Sequence, residues 1–482
     1  MSTELKNKKE NIYLNNDDYR LESDSIGELR VPKDAYYGVQ TLRAVENFNI
    51  TGLKIPKELI ISLVQIKKAA AISNFTAKVI DKNTERAIVE ACNEIMEGKL
   101  MKEFIVDPIQ GGAGTSINMN INEVIANRAT EILGGKKGEY LVHPNDHVNT
   151  GQSTNDVIPT AGNITTIRMI SKLLEKLKEL DKAFKIKSEE FRDIIKMGRT
   201  QLQDAVPITL GQEFGAYKQV VSRDINRIQR VLEDVKVISM GATAVGTGIN
   251  ASEVYEKIIT ENLSEVVGTR LYKAKDLVDG TQNLDKYTTV SSAIKICAVN
   301  LSKIANDLRL MSSGPRAGLG EINLPSKQNG SSIMPGKINP VIPEVINQIA
   351  FNIVGNDVTI SMAVEAGQLE LNAFEPVIFY NLFQSIETLT KGINTFVKNC
   401  ILGITANEER CRYFVENSVG IVTALCPYLG YKESARIAKD AIKTGRSVRD
   451  IILEEKLFDE EKLDEILNPR EMIRPGIIGK NK

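Results

Sequence analysis

Residues 330–340, GSSIMPGKINP, carry the side chains and turn residues that an anion-handling loop needs. The segment holds two serine hydroxyls, one lysine and one asparagine between glycines and prolines that favour tight turns. Such groups can hold a carboxylate whose negative charge grows during a reaction. A phosphate-binding P-loop does not fit, because Gly330 and Gly336 are separated by five residues and Ile338 follows Lys337. On this motif alone, an ordinary surface loop stays an open alternative.

Three further segments share this mixture of glycines, hydroxyls and amides. They are residues 110–120 (QGGAGTSINMN), residues 151–156 (GQSTND) and residues 198–207 (GRTQLQDAVP). Each has a structural alternative; the hydroxyls of GQSTND, for example, could cap a helix. A helix N-terminus rich in hydroxyls is also a carboxylate site. Since all four segments interrupt long periodic tracts, we interpret them as parts of one carboxylate-binding site.

The tracts that must position these segments have the periodicity of long helices. Ile167, Ile170, Leu174, Leu177 and Phe184 recur at intervals of 3, 4, 3 and 7 residues, with Lys and Glu between them. Comparable periodic segments cover residues 210–237, 284–311 and 342–363, whereas residues 111–120 are predicted to form a loop. Few strong strand patterns separate them. The sequence therefore predicts an all-α (mainly α) protein built around a long-helix bundle.

We expect three regions: an N-terminal domain at 1–155, a central helical bundle domain at 156–408 and a small C-terminal helical domain at 409–482. Residues 350–362 are apolar around much of a helix's circumference. Apolar surface on all sides of a long helix implies burial among many helices, including helices of other subunits. We therefore expect an oligomer.

Composition excludes several classes of protein. The 482 residues include 61 Lys and Arg against 62 Asp and Glu, a net charge of −1 that argues against nucleic-acid and membrane-surface binding. The five cysteines form no CxxC pair, which favours reduced thiols. The first twenty residues are polar, are expected to be mobile and lack the apolar core of a signal peptide. With no long apolar run, we expect a cytoplasmic protein without a membrane span.

The two histidines, His143 and His147, do not indicate a metal site. Pro144 lies between them and disfavours a regular helix, and HPNDH lacks the glutamate of HExxH, so His147 is predicted to be a structural hydrogen-bonding group. A serine hydrolase is disfavoured, because no GxSxG elbow accompanies either histidine. GTGINA at 246–251 fits GxGxxA but lacks a βαβ setting, which makes nicotinamide binding a weak alternative.

The motifs resemble those of the fumarase/aspartase superfamily. GSSIMPGKINPVIPEVINQ resembles its signature, and GGAGTSINMNINEVIANRA, NDHVNTGQSTNDVIPT, GRTQLQDAVPITLGQEFGAY and EAGQLELNAFEPVIFYNLF resemble its other blocks, in the same order. The resemblance covers nearly everything from Tyr19 to the C-terminus. It implies a three-region lyase in which central helices from four subunits form one core of about twenty helices. It also implies active sites where three subunits of this homotetramer meet.

Within the superfamily, the sequence is most similar to the ammonia-lyases that act on L-aspartate. Fumarases have GRTHLQDA where this chain has GRTQLQDA, so Gln201 replaces the fumarase histidine. In fumarases that histidine is held by a glutamate, and the equivalent residue in this chain is Glu344. The resemblance implies reversible elimination of ammonia from L-aspartate to give fumarate through an aci-carboxylate intermediate. Two alternatives stay open: a class II fumarase (fumarate hydratase) and a catalytically silent structural relative.

The family pattern also implies residue roles. Ser331 is the expected general base, stabilised as an oxyanion by its surroundings. The residues expected to bind the β-carboxylate are Thr115, Ser153, Thr154 and Ser332. Those expected at the α-carboxylate are Lys337, Asn339 and Thr200, and those at the amino group are Asn155 and Gln201, with Glu344 in a supporting position. No cofactor is implied as required, and activation by a divalent cation is left open because the sequence shows no ligand cluster.

Overall fold

The computed structural model describes residues 18–478, and the chain divides into two compact units. The first unit comprises Met1–Lys172, Ile228–Ala293 and Val354–Glu387; the second comprises Leu173–Arg227, Ile294–Ile353 and Thr388–Lys482. The three-region division at 1–155, 156–408 and 409–482 stays a prediction. Residues 1–17, most of the segment expected to be mobile, and residues 479–482 lie outside the described part.

The described residues form a mainly helical protein, as predicted. In chain order the helices are α1 Val39–Asn47, α2 Lys57–Thr76, α3 Lys82–Met96, α4 Thr115–Ile132, α5 Thr154–Glu190, α6 Leu210–Val235, α7 Glu253–Val267, α8 Leu277–Gln282, α9 Asp285–Met311, α10 Val341–Glu365, α11 Glu375–Asn399, α12 Glu408–Asn417, α13 Cys426–Thr444, α14 Val448–Glu454, α15 Glu460–Ile466 and α16 Pro469–Met472. The strands are β1 Tyr19–Asp24, β2 Gly27–Pro32, β3 Ile195–Thr200, β4 Gln203–Thr209, β5 Val237–Ile238, β6 Tyr272–Lys273, β7 Ile322–Asn323 and β8 Thr405–Ala406. The strands pair two by two: β1–β2, β3–β4 and β7–β8 antiparallel, and β5–β6 parallel.

The longest helices coincide with the periodic tracts. The predicted segments 210–237, 284–311 and 342–363 correspond to α6, α9 and α10, and the stripe at residues 167–184 lies on α5. Every residue of that stripe is buried. The periodic spacing therefore identified the apolar faces correctly, because one face of a helix recurs every 3.6 residues.

In the first unit, two buried carboxylates close the N-terminus of α1. Glu123 accepts hydrogen bonds from the N–H groups of Gly38 and Gln40 at 2.8 Å each, and Glu22 accepts from the N–H of Val39 at 3.0 Å. These bonds satisfy the orphan donors of a helix start and place negative charge at the positive end of its dipole. Burial nevertheless raises the pKa of Glu123. In the same unit, α2 packs against α3 and α7.

In the second unit, aromatic rings and a separate aliphatic cluster form the core. Phe184 on α5 meets Phe214 on α6 edge to face with centroids 6.2 Å apart, and Phe396 on α11 packs against the same Phe184 ring at 6.4 Å. The C-terminal helices bury their own aliphatic cluster, which includes Leu425, Ile437, Ile452 and Met197 of β3. Among residues 18–478, none of the helices combines the length and apolar character that a membrane-spanning segment requires.

The structure differs locally from the sequence predictions at two segments. Residues 198–207 do separate two helices, as expected of a polar break, but they form most of the hairpin β3–β4, which was not predicted and in which Thr200 pairs with Gln203. Residues 115–120 are not a loop but the first turns of α4, which leaves only residues 111–114 as the glycine-rich turn. Strands this short contain too few residues for alternation to be recognised, and asparagines obscured the helix start because they have low helix propensity.

Candidate active site

The loop at residues 330–340 is closed at its base by backbone contacts. The N–H of Gly330 donates to the carbonyl of Lys337 at 2.8 Å, and Nδ2 of Asn339 donates to the carbonyl of Gly330 at 2.9 Å. A Cβ atom at position 330 would lie only 2.6 Å from the Lys337 carbonyl oxygen, so the close approach requires glycine. Asn339 therefore helps to build the loop as well as being a predicted substrate ligand.

Ser331 lies inside this loop with two backbone donors directed at its hydroxyl oxygen. Its Oγ accepts from the N–H of Ile333 at 3.2 Å and from the N–H of Met334 at 2.9 Å. Paired N–H donors stabilise negative charge on an oxygen, as an oxyanion hole does. The same bonds also form an ordinary serine turn, which is the structural alternative. Ser332 and Lys337, on the same loop, are exposed to solvent.

Gln201 occupies the tip of the β3–β4 hairpin. The two turn residues, Gln201 and Leu202, have φ angles of 53° and 62°, the left-handed conformation that a two-residue type I′ turn requires. Side chains other than glycine and asparagine rarely adopt it, at a cost on the order of 1 kcal/mol each. The strained turn thus contains Gln201, a predicted substrate ligand, and follows Thr200, a second one, at the end of β3.

A buried ion cluster supports the base of this hairpin. Nη1 of Arg199 lies 2.8 Å from Oε1 of Glu321, and Nζ of Lys196 lies 3.2 Å from Oε2. The Arg199 guanidinium also lies 5.1 Å from the ring centroid of Phe414 on α12. Sequence reasoning missed this cluster, although GRT carried an arginine directly before the predicted Thr200.

In the first unit, Thr115 is the first residue of α4. Gly114 precedes it with a φ of 86°, and a Cβ atom there would lie 3.1 Å from the Ile158 side chain. Thr115 Oγ1 donates to the carbonyl of Gly112 at 2.8 Å. The arrangement places a threonine hydroxyl at the N-terminus of a helix, where the helix dipole favours an anion.

Ser153 directly precedes α5, and Thr154 and Asn155 are the first two residues of this helix. The N–H of Ser153 donates to Oδ1 of Asp156 at 2.9 Å, and Ser153 Oγ accepts from the N–H of Asn155 at 3.3 Å. The capping alternative is therefore present in the structure. Asn155 Nδ2 donates to the carbonyl of Ala244 at 2.7 Å, which fixes its side chain.

Asn118 connects these two helix starts. Its Nδ2 lies 3.4 Å from Oγ1 of Thr154, so the first turn of α4 and the first turn of α5 share one hydrogen-bond network. Sequence reasoning gave Asn118 no role, although it follows Thr115 by three residues and therefore lies on the same helix face.

The predicted site residues fall into two groups. Thr115, Ser153, Thr154 and Asn155 lie in the first unit; Thr200, Gln201, Ser331, Ser332, Lys337, Asn339 and Glu344 lie in the second. Glu344 is in the first turn of α10, where its N–H donates to the carbonyl of Pro340 at 3.2 Å. The assigned roles of all these residues stay predictions.

The histidines have structural contacts. Nδ1 of His147 accepts from the N–H of His143 at 2.8 Å across an irregular turn, so the prediction of a hydrogen-bonding role is confirmed. Within the described range, no group of three or more His, Cys, Asp or Glu side chains is placed to hold a metal ion. Activation by a divalent cation stays an untested prediction.

Comparison with known proteins shows relatives along nearly the whole chain. The family described as "Lyase" matches residues 27–355, and the family "Fumarase C C-terminus" matches residues 421–474. The chain is 57% identical to the aspartate ammonia-lyase of Bacillus subtilis, over 96% of this chain and 98% of that protein. It is 52% identical to that of Helicobacter pylori, over 96% and 100%.

Solved structures also match nearly the whole chain. A Brucella melitensis protein described as "fumarate lyase:delta crystallin", bound to cobalt, matches with a TM-score of 0.92 and 48% identity over 95% of this chain and 100% of that chain. The class II fumarase of Schistosoma mansoni matches with a TM-score of 0.91 and 37% identity over 94% and 99%. This chain belongs to the lyase family that contains the aspartate ammonia-lyases and class II fumarases.

Proposed function

We propose that the protein is an aspartate ammonia-lyase, a carbon–nitrogen lyase that reversibly eliminates ammonia from L-aspartate to give fumarate. The observation that carries the proposal is the 49–57% identity to aspartate ammonia-lyases over 95–96% of the chain. The glutamine at the tip of the β3–β4 hairpin agrees with it, since Gln201 stands where the fumarase pattern has a histidine.

In this reaction Ser331 removes a proton from the carbon next to the β-carboxylate. That C–H group is weakly acidic, and a serine is a poor base unless its oxyanion is stabilised. The N–H donors of Ile333 and Met334 supply such stabilisation, and the Lys337 ammonium adds positive charge to the same loop. The loop would close over the substrate, exclude water and strengthen these interactions.

The remaining polar side chains bind the substrate's three charged groups. The dianionic aci-carboxylate needs donors already in place, and the starts of α4 and α5 offer hydroxyls beside helix N-termini. The β-carboxylate ligands are Thr115, Ser153, Thr154 and Ser332; the α-carboxylate ligands are Lys337, Asn339 and Thr200; the amino-group ligands are Asn155 and Gln201. Glu344 supports the site from the first turn of α10.

The leaving group explains why a glutamine suffices at position 201. A fumarase expels hydroxide, a poor leaving group that needs a proton delivered. The ammonium group of aspartate already carries its proton and leaves as neutral ammonia. A silent relative would be expected to have lost signature residues, yet Ser331, Lys337 and Asn339 are all present. No step needs an organic cofactor, and we propose none.

We also propose a homotetramer in which loops from neighbouring subunits complete each site. On α10, Ala350, Ile353 and Ile360 are buried, whereas Phe351 and Met362 are each 68% exposed in the single chain. A large apolar stripe exposed on one long helix favours packing against further helices. A cytoplasmic enzyme of amino-acid metabolism, without nucleic-acid or membrane partners, is consistent with the balanced charge.

Ultraviolet absorbance of fumarate tests the function directly. Purified protein with L-aspartate should produce fumarate, and protein with fumarate and ammonium should consume it. L-Malate is the matched control substrate, because it differs only in carrying a hydroxyl in place of the amino group. Turnover of L-malate at a rate equal to or above that of L-aspartate would assign the protein as a fumarase instead.

A further inference from the structure

Beneath the start of α5 lies a lysine with no exposure to solvent. Lys67 is on α2, and its Nζ donates to Oδ1 of Asn149 at 2.9 Å and to Oε1 of Gln152 at 3.0 Å. Burying a cation costs free energy, and an apolar side chain of similar volume would avoid that cost. Packing alone therefore does not explain why a lysine occupies this position.

The two acceptors belong to the turn that leads into α5. Asn149 Oδ1 also accepts hydrogen bonds from Nδ2 of Asn118 at 3.1 Å and from Nδ2 of Asn122 at 3.2 Å, both on α4. Gln152 Nε2 donates back to the carbonyl of Val148 at 3.0 Å. Lys67 thus lies at the centre of a network that holds residues 149–152 against α2 and α4.

The same turn is fixed at its other end by Asp156. This fully buried carboxylate accepts the N–H of Ser153 at 2.9 Å on one oxygen, and the N–H groups of Gly241 and Thr243 at 3.2 and 3.1 Å on the other. Burial lowers the pKa of Lys67 to about 7 and raises that of Asp156 to about 6, and each charge partly offsets the shift of the other. The two groups are therefore electrostatically coupled beneath Ser153 and Thr154.

We propose that Lys67 is a positioning residue for the reaction: through Asn149 and Gln152 it fixes the backbone that presents Ser153 and Thr154 to the substrate β-carboxylate. This inference rests on the proposed function. Lys67 itself does not touch the substrate. Its effect is the preorganisation of donors where negative charge develops, which is where catalysis by hydrogen-bond donors is largest.

The kinetic consequence follows from when the charge develops. The ground-state β-carboxylate carries one negative charge and tolerates loosely placed donors, whereas the aci-carboxylate carries two. Loosening the turn should therefore lower kcat much more than it weakens ground-state binding. Succinate, a dicarboxylate without the amino group, reports ground-state binding when titrated by calorimetry and also counts the binding-competent sites.

The primary experiment compares Lys67→Met with Lys68→Met. Lys68 is the next residue on α2, and its Nζ donates to Oδ1 of Asn93 on α3 at 2.8 Å, away from the turn. Per succinate-binding site, we expect Lys67→Met to lower kcat for L-aspartate about 100-fold with succinate affinity within about threefold. We expect Lys68→Met to keep kcat within about twofold.

Gln152→Met provides a second test that does not require a new side chain to pack at the fully buried position of Lys67. It removes one acceptor of Lys67 from a partly exposed turn and should lower kcat about tenfold. In the double variant, the two losses should be less than multiplicative, because both act through the same turn. If Lys67→Met does not fold, the Gln152→Met kinetics decide alone.

The outcomes are distinguishable. A wild-type protein without activity on L-aspartate would refute the proposed function. An active wild type with unchanged kcat per binding site in Lys67→Met, or in Gln152→Met, would overturn the positioning role alone. A purely structural role for Lys67 would lower the number of succinate-binding sites and leave kcat per site intact, which would also overturn it.

Discussion

The Arg199 guanidinium and the Glu321 carboxylate form an ion pair, 2.8 Å between Nη1 and Oε1, in which the Glu321 side chain has no solvent exposure. Lys196 approaches the second carboxylate oxygen at 3.2 Å. Arg199 directly precedes Thr200, and Glu321 precedes β7. One buried carboxylate thus holds the two residues of β3 that lead to the predicted substrate ligands Thr200 and Gln201.

We predict that Glu321→Gln destabilises the protein by roughly 3 kcal/mol, because it leaves the largely buried Arg199 guanidinium without its carboxylate partner. Denaturant unfolding monitored by circular dichroism measures the change. The control is Glu416→Gln, since the Glu416–Arg412 pair is mostly exposed and should contribute little. Equal stability of the two variants would show that the buried cluster does not support the hairpin.

Replacing the proposed base should abolish turnover and leave binding intact. We expect Ser331→Ala to lose activity on L-aspartate while still binding succinate, because the hydroxyl acts chiefly in the transition state. Ser332→Ala is the adjacent control and should be less damaging, since it removes one of several carboxylate donors. Ser331→Ala with more than about a tenth of the wild-type rate, a loss under roughly 1.4 kcal/mol, would require another base.

The hairpin tip should contribute to recognition of the amino group. Gln201→Ala is expected to lower kcat/KM for L-aspartate by about 10- to 100-fold, the loss of one hydrogen bond to a charged group. Gln203→Ala is the control, because this glutamine is equally exposed but lies at the start of β4, outside the two-residue turn. Wild-type kinetics in Gln201→Ala would exclude a contact with the substrate.

Shared sites can be tested by mixing two inactive proteins. One carries Thr200→Ala with Gln201→Ala, and the other carries Ser331→Ala. If the two loops of a site come from different chains, random tetramers contain intact sites at a frequency of one half times one half, so roughly a quarter of wild-type activity should return. The proteins are denatured together, refolded and assayed for fumarate. Mixed tetramers, verified by mass, that show no activity would place both loops in one chain.

Lys67 should make stability depend on pH between about 7 and 10.5. Its pKa is about 7 in the folded protein and 10.5 ordinarily, so over this range the unfolded chain binds a proton that the folded chain does not. The free energy of unfolding of the wild type should therefore rise relative to Lys67→Met by about 1.4 kcal/mol per pH unit. Unfolding curves of both proteins across this range measure it. A difference independent of pH would mean that the lysine stays charged throughout.

The sequence by itself determined the helical architecture and the family. Apolar spacing identified α5, α6, α9 and α10, because helix periodicity depends on residues three and four positions apart. The motif at 330–340 and its companions identified the chemistry, because a family motif preserves residue types in order. The proposed general base and the proposed ligands were named from the chain's resemblance to its family, and their roles stay predictions.

Only the tertiary structure decided how those residues are supported. The left-handed turn at Gln201 and Leu202 depends on pairing between β3 and β4, and the ion pair of Arg199 joins residues 122 positions apart. In the sequence, nothing distinguishes Lys67 from surface lysines. Its burial and its hydrogen bond to Asn149, 82 residues later, arise only because α2 packs against that turn. Local patterns carry no information on such contacts, because they arise only when distant segments pack and exclude water.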